Sequence, residues 1–364
     1  MNELLDIADE SLNPADESLN PAAGMLPALL LRRLIGGYRI THAIRAAAQL
    51  GIADHLGERP RSAGDLAALL HVNPQALHRL LRALVGIGLL ADAGDGLFTL
   101  TPVGACLRRD APDGMRAWAL CEGAEYYQDA WMNLPHAVET GETAFEHAHG
   151  ETFYQHLARH PETGHGFSQA MLDYARLIAK AVVAGYDFEG VRRVVDIGGS
   201  HGHLLRAILQ ANPTVSGVLF DRPAVIERAE ERFRGAGLAG RAELVAGDFF
   251  ESLPAGGDLY ILSRVLMDYD DERSVRLLQN CRRAMRPGGR VLIVQLLMPE
   301  QGGAPREQLF EAAVSDLNML VLTGGRERTE GEYRTLLARA GLRLKRVVPT
   351  RALVSLIEGE LIAP

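Results

Sequence analysis

The pattern of apolar and polar positions divides the chain into a helical first half and an alternating second half. From Ala22 to about Leu100, apolar residues recur at helical spacing, with short breaks and a closing run, LFTLT, that alternates like a strand. Residues 106–180 keep a helical pattern and are rich in aromatic residues and histidines. From Val191 onward, apolar strand-like runs alternate with helical stretches, which predicts a doubly wound α/β sheet. The final run, RALVSLIEGELI, is expected to finish that sheet as an antiparallel edge hairpin.

Residues typical of helix starts indicate the order of helices and strands before residue 100. Ser62, with Asp65 three residues later, resembles a capping box, and Asn73-Pro74 opens a second helix. A glycine-rich turn and LFTLT follow, so the order is helix, helix, hairpin, which is the outline of a winged helix. The polar side chains that the second helix offers are Gln75, His78, Arg79 and Arg82. A DNA-reading helix carries a denser basic face, so DNA binding by residues 74–90 remains only a minor alternative.

Composition limits the partners and the compartment. The 364 residues carry a net charge of −8, which argues against nucleic acid as a bulk electrostatic partner. Cys106, Cys121 and Cys281 are widely spaced and odd in number, so they indicate a reducing compartment and not a disulfide framework or a zinc site. The apolar run at 25–31 is about a third of the length of a membrane span. We therefore expect a cytoplasmic protein that contacts no membrane.

The motif GGSHG at 198–202 directly follows a buried-type strand at 194–197 and precedes a predicted helix. Glycines allow the dihedral angles of a tight strand-to-helix turn and let the backbone approach a ligand closely. Asp221 ends the next strand-like run, nineteen residues after Gly202. A carboxylate at that position can accept hydrogen bonds from both hydroxyls of a ribose. These features predict a nucleotide-like cofactor, NAD included.

Three details favour S-adenosylmethionine over NAD. Asp196 stands just before the glycines, where a carboxylate suits a cationic ligand and opposes a pyrophosphate. The spacing is D-x-G-G-x-x-G and not G-x-G-x-x-G. Gly247, Asp248 and Phe249 follow a third strand-like run, where an acid and an aromatic ring can hold and cover an adenine. The three elements in this order, one in each βα unit, predict an S-adenosylmethionine site.

These motifs resemble those of the two-domain O-methyltransferases that act on aromatic natural products. The resemblance covers nearly everything after about residue 25 and includes VVDIGGSHG, the Asp221-Arg222 pair, AGDFF, LSRVLMDYDDE, CRRAMRPGGRVLIV and GGRERT. In detail the chain is similar to the bacterial phenazine-1-carboxylate N-methyltransferase. The resemblance implies an S-adenosylmethionine-dependent enzyme, a small aromatic substrate, and a homodimer formed through an N-terminal domain that does not read DNA.

The motifs and the resemblance together assign the candidate site residues. The residues expected to bind the cofactor are Asp196, Gly198, Gly199, Gly202, Asp221, Arg222, Gly247, Asp248, Phe249, Ser263 and Arg264. The residues expected near the substrate are Tyr127, Trp131, His149, Tyr154, Met171, Met267, Asn318 and Met319. Of these, the resemblance alone implies the positions of Arg222, Ser263, Arg264, Asn318 and Met319.

The chain departs from the family at the position of the general base. A phenol is mostly protonated at neutral pH, so its methylation needs a base. The family's L-H-D-W motif reads LMDY here, which places Met267 where the histidine stands. The glutamate that orients that histidine is replaced by Gln295, while a second acid survives as Glu327. Because an aromatic nitrogen with a free lone pair needs no deprotonation, the two replacements favour N-methylation.

Other reactions and sites stay open at this point. O-methylation remains possible for a phenol that is already ionised, or with His149 as the base. A third possibility keeps the bound cofactor but replaces methyl transfer with hydroxylation, decarboxylation or cyclisation. His147 and His149 stand two residues apart without a visible third ligand, so no metal site is predicted.

The expected domain organisation follows from these observations. The heptapeptide ADESLNP occurs twice in tandem at the start of the chain, and its prolines exclude a coiled coil. We expect a disordered leader over 1–22, a winged-helix-like dimerisation domain over 23–105, a helical linker that lines the substrate pocket over 106–185, and a Rossmann-like methyltransferase domain over 186–364.

Overall fold

The computed structural model describes residues 26–300, apart from 236 and 239, and residues 305–362. The tandem repeat and the expected leader over 1–22 therefore lie outside the described residues. Across the described ranges, no helix has both the length and the apolar character that a membrane crossing requires.

The N-terminal region combines short helices with a small antiparallel sheet. Its elements are α1 (Pro27–Ile35), α2 (Tyr38–Leu50), α3 (Ile52–Leu56), β1 (Arg61–Ser62), α4 (Ala63–Leu70), α5 (Pro74–Gly86), β2 (Leu90–Asp92), β3 (Leu97–Leu100) and α6 (Pro102–Ala105). The strand order is β1-β3-β2. Ser62 and Asn73 cap α4 and α5 by accepting backbone N–H bonds from Asp65 and Ala76, so the predicted helix starts are confirmed.

Two details of this region differ from the sequence pattern. The continuous apolar periodicity at 28–50 is divided between α1 and α2, with Gly36 and Gly37 at the break. Glycine is a poor helix former because it loses the most backbone freedom on folding. The two-residue strand β1 was not expected, and it pairs with β3 next to the Ser62 cap.

The middle of the chain is helical, as the pattern predicts. Its elements are α7 (Arg116–Glu122), α8 (Glu125–Met132), α9 (Leu134–Thr140), α10 (Ala144–His149), α11 (Phe153–Arg159) and α12 (Pro161–Gly185). Their apolar side chains form one core cluster with Val321 and Leu322, residues that come from the C-terminal region. The helical segment is therefore packed against that region and not only connected to it.

The C-terminal region is a doubly wound sheet with helices between its strands. Its elements are β4 (Arg193–Ile197), α13 (His203–Ala211), β5 (Ser216–Asp221), α14 (Pro223–Gly235), β6 (Ala242–Ala246), β7 (Gly257–Ser263), α15 (Asp271–Ala284), β8 (Met285–Gln295), β9 (Leu297–Met298), α16 (Arg306–Leu322), β10 (Arg328–Thr329), α17 (Glu330–Arg339), β11 (Leu342–Pro349) and β12 (Ser355–Leu361). A 3-10 turn covers Leu266–Asp268.

The main sheet has the strand order β11-β12-β8-β7-β4-β5-β6. The pairs from β8 to β6 are parallel, whereas β12 is antiparallel to both β8 and β11. Buried apolar clusters lie on both faces of the sheet. The predicted α/β class and the antiparallel edge hairpin are confirmed, with β11 as the outer strand. Ligands of such sheets bind beyond the carboxyl ends of the strands, which is where β4, β5, β6, β7 and β8 place the candidate residues.

Candidate functional site

The turn after β4 needs its glycines. An added Cβ at Gly199 would lie 2.5 Å from Asp196 Oδ2 and equally close to Leu219. Gly202 has φ +70° and its Cβ would meet the ring of Phe233, so a side chain there is excluded by both conformation and space. The backbone of the turn can therefore lie directly against the end of β4 and against a ligand.

Asp196 lies fully buried at the end of β4. Within the described part of the chain, neither of its carboxylate oxygens has a hydrogen-bond partner at bonding geometry. Burial and the nearby Asp221 charge raise the pKa of Asp196 to about 7, and the backbone N–H of Leu205 opposes that rise. An orphaned buried carboxylate under a glycine turn fits a cationic ligand that supplies the missing charge.

Asp221 connects the second strand to the glycine turn. Its Oδ2 accepts the backbone N–H of Ser200 at 2.9 Å, and its Oδ1 accepts the N–H of Arg222 at 2.7 Å. The Arg222 side chain is exposed. The carboxylate predicted to meet a ribose therefore lies next to the turn.

The segment after β6 brings a third element to the same place. Asp248 does not cap a helix, because it accepts the N–H of Phe250 in a local turn. Asn280 holds this turn from α15 by donating to the carbonyl of Phe249. The Phe249 ring lies 3.9 Å from the point where a Cβ on Gly198 would stand. Gly247 lies between β6 and this turn, and its Cβ would overlap the ring of Phe220.

Ser263 and Arg264 lie at the end of β7, the strand next to β4. Both are partly buried. Arg264 has φ +55°, and its N–H donates to Val294 of β8. Its guanidinium lies 4.9 Å from the centre of the Tyr174 ring, where a cation is attracted to the ring face. This contact links the end of the sheet to α12.

The departures from the family meet in one buried network. Gln295 is fully buried, and its Nε2 donates to Glu327 Oε2 at 2.9 Å and lies 3.0 Å from the sulfur of Met267. Ser315 donates to the other Glu327 oxygen at 2.9 Å. Burial raises the pKa of Glu327, and Arg264 and the Gln295 and Ser315 bonds oppose that rise. Neither the thioether of Met267 nor the amide of Gln295 can accept a proton at neutral pH.

A buried arginine fixes the turn that carries Met267. Arg328 has no exposed surface. It donates to the carbonyls of Leu266 at 2.8 Å and Tyr269 at 2.7 Å, and it pairs with Asp271. Strand β10 thereby determines where the turn at Leu266–Asp268 lies.

Asn318 on α16 joins two aromatic residues of α8. Its Oδ1 accepts Tyr127 O–H at 2.8 Å and Trp131 Nε1–H at 3.1 Å. An indole N–H can only donate, so this bond defines which end of the Asn318 amide is the oxygen. Met171 packs at the edge of the same cluster, whereas Met319 is buried on α16 against the Gly325 turn.

His149 and Tyr154 lie on α10 and α11. The His149 Nε2 is 3.0 Å from the carbonyl of Tyr126. Because a carbonyl only accepts, this nitrogen carries a proton and donates. Tyr154 is 57% exposed, yet the surrounding protein and the Asp268 charge raise its pKa. The Tyr154 hydroxyl therefore lies within electrostatic range of Asp268.

Three residues near the network were not among the predicted site residues. Asp268 is exposed, and desolvation raises its pKa to about 6 despite the nearby Arg264. Ser315 bonds Glu327, and Tyr174 underlies Arg264. Asp268 follows directly after Met267, so the sequence offered a signal for it. The other two meet the site only through tertiary packing. Asp316 accepts the N–H of Glu327, which is a structural contact.

Comparisons with known proteins agree with this architecture. Residues 131–343 match the O-methyltransferase domain, and residues 32–110 match the O-methyltransferase dimerisation domain. The phenazine O-methyltransferase PhzM of Lysobacter antibioticus is 43% identical over 93% of this chain and 97% of its own length. The 8-amino-8-demethylriboflavin N,N-dimethyltransferase of Streptomyces davaonensis is 36% identical over 88% and 91%. Aclacinomycin 10-hydroxylase RdmB of Streptomyces purpurascens is 36% identical over 86% and 84%.

Solved structures extend the likeness to the cofactor. CalO1, a methyltransferase of calicheamicin biosynthesis with bound S-adenosylhomocysteine, has a TM-score of 0.85 at 34% identity and covers 92% of this chain and 98% of its own. NcsB1, an O-methyltransferase from neocarzinostatin biosynthesis bound to S-adenosylmethionine and a hydroxynaphthoic acid, has a TM-score of 0.69 at 34% identity, with coverage of 89% and 96%. The chain therefore belongs to the O-methyltransferase family with an N-terminal dimerisation domain, and it is an S-adenosylmethionine-dependent methyltransferase of the kind that acts on aromatic secondary metabolites.

Proposed function

We propose that this enzyme N-methylates a fused nitrogen heteroaromatic in bacterial secondary metabolism and uses no side chain as a general base. The observation that carries the proposal is the pair Met267 and Gln295 at the two base positions. The Gln295 amide nitrogen donates to the Met267 sulfur and to Glu327, so neither side chain at the two base positions offers a proton acceptor to the substrate. A ring nitrogen attacks through its own lone pair and requires only positioning.

The charges near Met267 support a nitrogen acceptor. Methylation of a neutral ring nitrogen creates a positive charge on the ring. Asp268 and Glu327 both lie within electrostatic range of Arg264 and of one another. Ionised carboxylates in a partly desolvated site stabilise a developing cation. The N,N-dimethyltransferase relative is a family member whose name states nitrogen methylation.

The proposed cofactor contacts are those that meet at the carboxyl ends of the strands. When bound, S-adenosylmethionine supplies an electrophilic methyl group. We propose that Asp196 and the glycine turn hold its charged end, that Asp221 accepts the ribose hydroxyls, and that Asp248 and Phe249 hold the adenine. We propose that Arg222, Gly247, Ser263 and Arg264 border the same site.

Substrate orientation is assigned to the α8–α16 contact. Because Tyr127 and Trp131 both donate to Asn318 Oδ1, the amide nitrogen of Asn318 points elsewhere with two N–H donors. We propose that these donors meet an acceptor on the substrate, and that Met171, Met267 and Tyr154 contact the ring. Such a site pairs flat apolar contact with a few oriented polar groups.

The N-terminal helices are proposed to form a homodimer. The side chains of Leu34, Ile35 and Tyr38, on α1 and α2, are each more than half exposed. All three residues fall within the segment that matches the dimerisation domain. Large exposed apolar patches mark contact surfaces. We do not propose DNA binding for this region, because the family model that it matches describes a dimerisation domain.

The cytoplasm is the proposed compartment. Cys106, Cys121 and Cys281 are all free thiols in the described chain. Free, unpaired cysteines are typical of a reducing environment.

One observation favours a second candidate, O-methylation with Asp268 as the base. Its carboxyl group is exposed, directly follows Met267, and has a pKa of about 6. A carboxylate with that pKa accepts a proton from an acidic phenol more readily than an ordinary aspartate does. His149 is less suited to this role, because its Nε2 donates to the Tyr126 carbonyl.

Formation of S-adenosylhomocysteine tests the reaction class. Purified enzyme with S-adenosylmethionine and a phenazine or acridine is expected to release one S-adenosylhomocysteine per methylated ring. A hydroxylase, such as the RdmB relative is named to be, would oxidise its substrate without releasing that product. Conversion of the ring with no S-adenosylhomocysteine would refute methyl transfer.

Cofactor affinity is expected to depend on pH through Asp196. Its pKa of about 7 lies above that of an ordinary aspartate, so the free enzyme holds this carboxyl protonated below pH 7. A cationic ligand favours the ionised form. The dissociation constant for S-adenosylmethionine should therefore rise up to about tenfold per pH unit below pH 7 and stay flat above it.

The matched variant is Asp196→Asn, which keeps the shape of the side chain and removes its titration. Calorimetry between pH 5.5 and 8.5 is expected to give weaker binding without the pH dependence. If the dissociation constant of the variant depended on pH as that of the wild type does, a group other than Asp196 would be responsible.

A further inference from the structure

Outside the methyl-transfer site, three potential metal ligands converge around α11. Glu151 lies just before this helix, His156 lies on it, and His160 lies between it and α12. One ligand atom from each side chain lies within 4.8 Å of the other two. None of the three was singled out by the sequence pattern, which drew attention to His147 and His149 instead. We call this set the α11 triad.

The Glu151–His156 distance in the α11 triad is close to the spacing of two ligands on a tetrahedral ion. Glu151 Oε1 and His156 Nδ1 are 3.0 Å apart. Two ligands on a tetrahedral zinc ion, with bonds of about 2.0–2.1 Å, lie roughly 3.4 Å from each other. The existing pair therefore needs to open by only a few tenths of an ångström to admit the metal between them. Histidine nitrogens with one carboxylate are a donor set that Zn²⁺ favours.

The surroundings hold His156 in place before any ion binds. Its ring stacks on Tyr126, with ring centres 5.6 Å apart and planes at 23°, and it meets Phe145 edge to face. The side chains of Glu151 and His156 are only 12% and 13% exposed. Preorganised and partly desolvated ligands lose little freedom on binding an ion.

The two remaining groups can move. The His160 ring centre is 4.3 Å from that of His156, and His160 is exposed at the open end of the triad. Arg159 contacts the other Glu151 oxygen at 2.9 Å but is itself 73% exposed. Because solvent screens the Arg159 end of this pair, Arg159 can swing away and release that oxygen when Glu151 binds a metal.

We propose that Glu151, His156 and His160 bind one Zn²⁺ ion, with water in the fourth position. The ion connects the segment before α11 to the start of α12 and so clamps α11 at both ends. Because α11 carries Tyr154, the clamp also fixes one wall of the methyl-transfer site. The proposal stands independently of which atom the enzyme methylates.

The experiment is a titration of untagged, EDTA-treated full-length enzyme with ZnCl₂ alone, followed by calorimetry and thermal unfolding. We expect one ion per chain with a dissociation constant in the micromolar range or below, and a rise in melting temperature on the order of 5 °C at saturation. Co²⁺ is the spectroscopic probe, since tetrahedral coordination by the triad gives strong visible absorption bands.

His160→Ala tests the site without disturbing the helix, because the His160 side chain caps no backbone group. The variant is expected to weaken zinc binding at least tenfold and to lose the Co²⁺ bands. His147→Ala is the matched control: His147 stacks on His136 outside the triad, so binding should be unchanged. Zinc binding that is absent in the wild type, or that survives intact in His160→Ala, would overturn the proposal.

Discussion

Gly199→Ala is expected to weaken S-adenosylmethionine binding about 100-fold and to lower methyl transfer to match. The new Cβ would lie 2.5 Å from Asp196 Oδ2 and from Leu219 Cδ1, closer than any atoms in van der Waals contact. Either the turn moves away from the end of β4 or the Asp196 carboxylate is displaced. Overpacking of this kind costs about 1–3 kcal/mol, and here the strain falls on the groups proposed to hold the cofactor.

Gly240→Ala is the matched control for Gly199→Ala. Gly240 lies before β6 in the same domain, and a Cβ there meets nothing within 4 Å. Calorimetry with S-adenosylmethionine should give wild-type affinity for this variant. Circular dichroism of both variants separates a local change from unfolding. Tight binding by folded Gly199→Ala would contradict the assigned cofactor site.

Arg328→Ala is expected to lower the stability of the fold strongly. It removes the donor to the carbonyls of Leu266 and Tyr269 and leaves Asp271 with one fewer partner. Each carbonyl that loses its donor inside the protein costs about 1–3 kcal/mol, whereas the ion pair adds little because Asp271 is 41% exposed. The melting temperature should fall by roughly 10 °C. The turn that carries Met267 loses its anchor, so activity should fall even at temperatures where the variant is folded.

The neighbouring arginine provides the control for Arg328→Ala. Arg326 also pairs with Asp271, and with Glu332, but its side chain is 45% exposed. Solvent screens such pairs, so Arg326→Ala should cost less than about 1 kcal/mol. Thermal unfolding of the two variants side by side gives the comparison. Equal losses would mean that burial of Arg328 is not what holds the turn.

Much of the fold could be predicted because its signals are local. Ser62 and Asn73 mark helix starts that the structure places at the predicted residues. The alternation after Val191 predicts a doubly wound sheet, which β4 to β8 form. Strand β1 was not predicted because a segment of two residues is too short to show a periodic pattern. Its pairing with β3 is a contact between segments that are distant in sequence.

The candidate site was predictable to different degrees. The glycine turn and Asp196 belong to one short motif, so the sequence alone locates them. The contact between Tyr127 and Asn318 joins residues 191 positions apart, and no local pattern predicts it. The same holds for Ser315 on Glu327 and for the α11 triad. The missing base, by contrast, is visible in the sequence as Met267 and Gln295, but only against the family's motif.

Methyl transfer to nitrogen, not oxygen, is tested most directly with a substrate that offers both atoms. Purified enzyme is incubated with S-adenosylmethionine and a hydroxyphenazine, and the position of the new methyl group is read by NMR correlation to the ring carbons. We predict an N-methyl product, since the buried network of Met267, Gln295 and Glu327 contains no group at the base position that can deprotonate the hydroxyl. An O-methyl product alone would contradict this account.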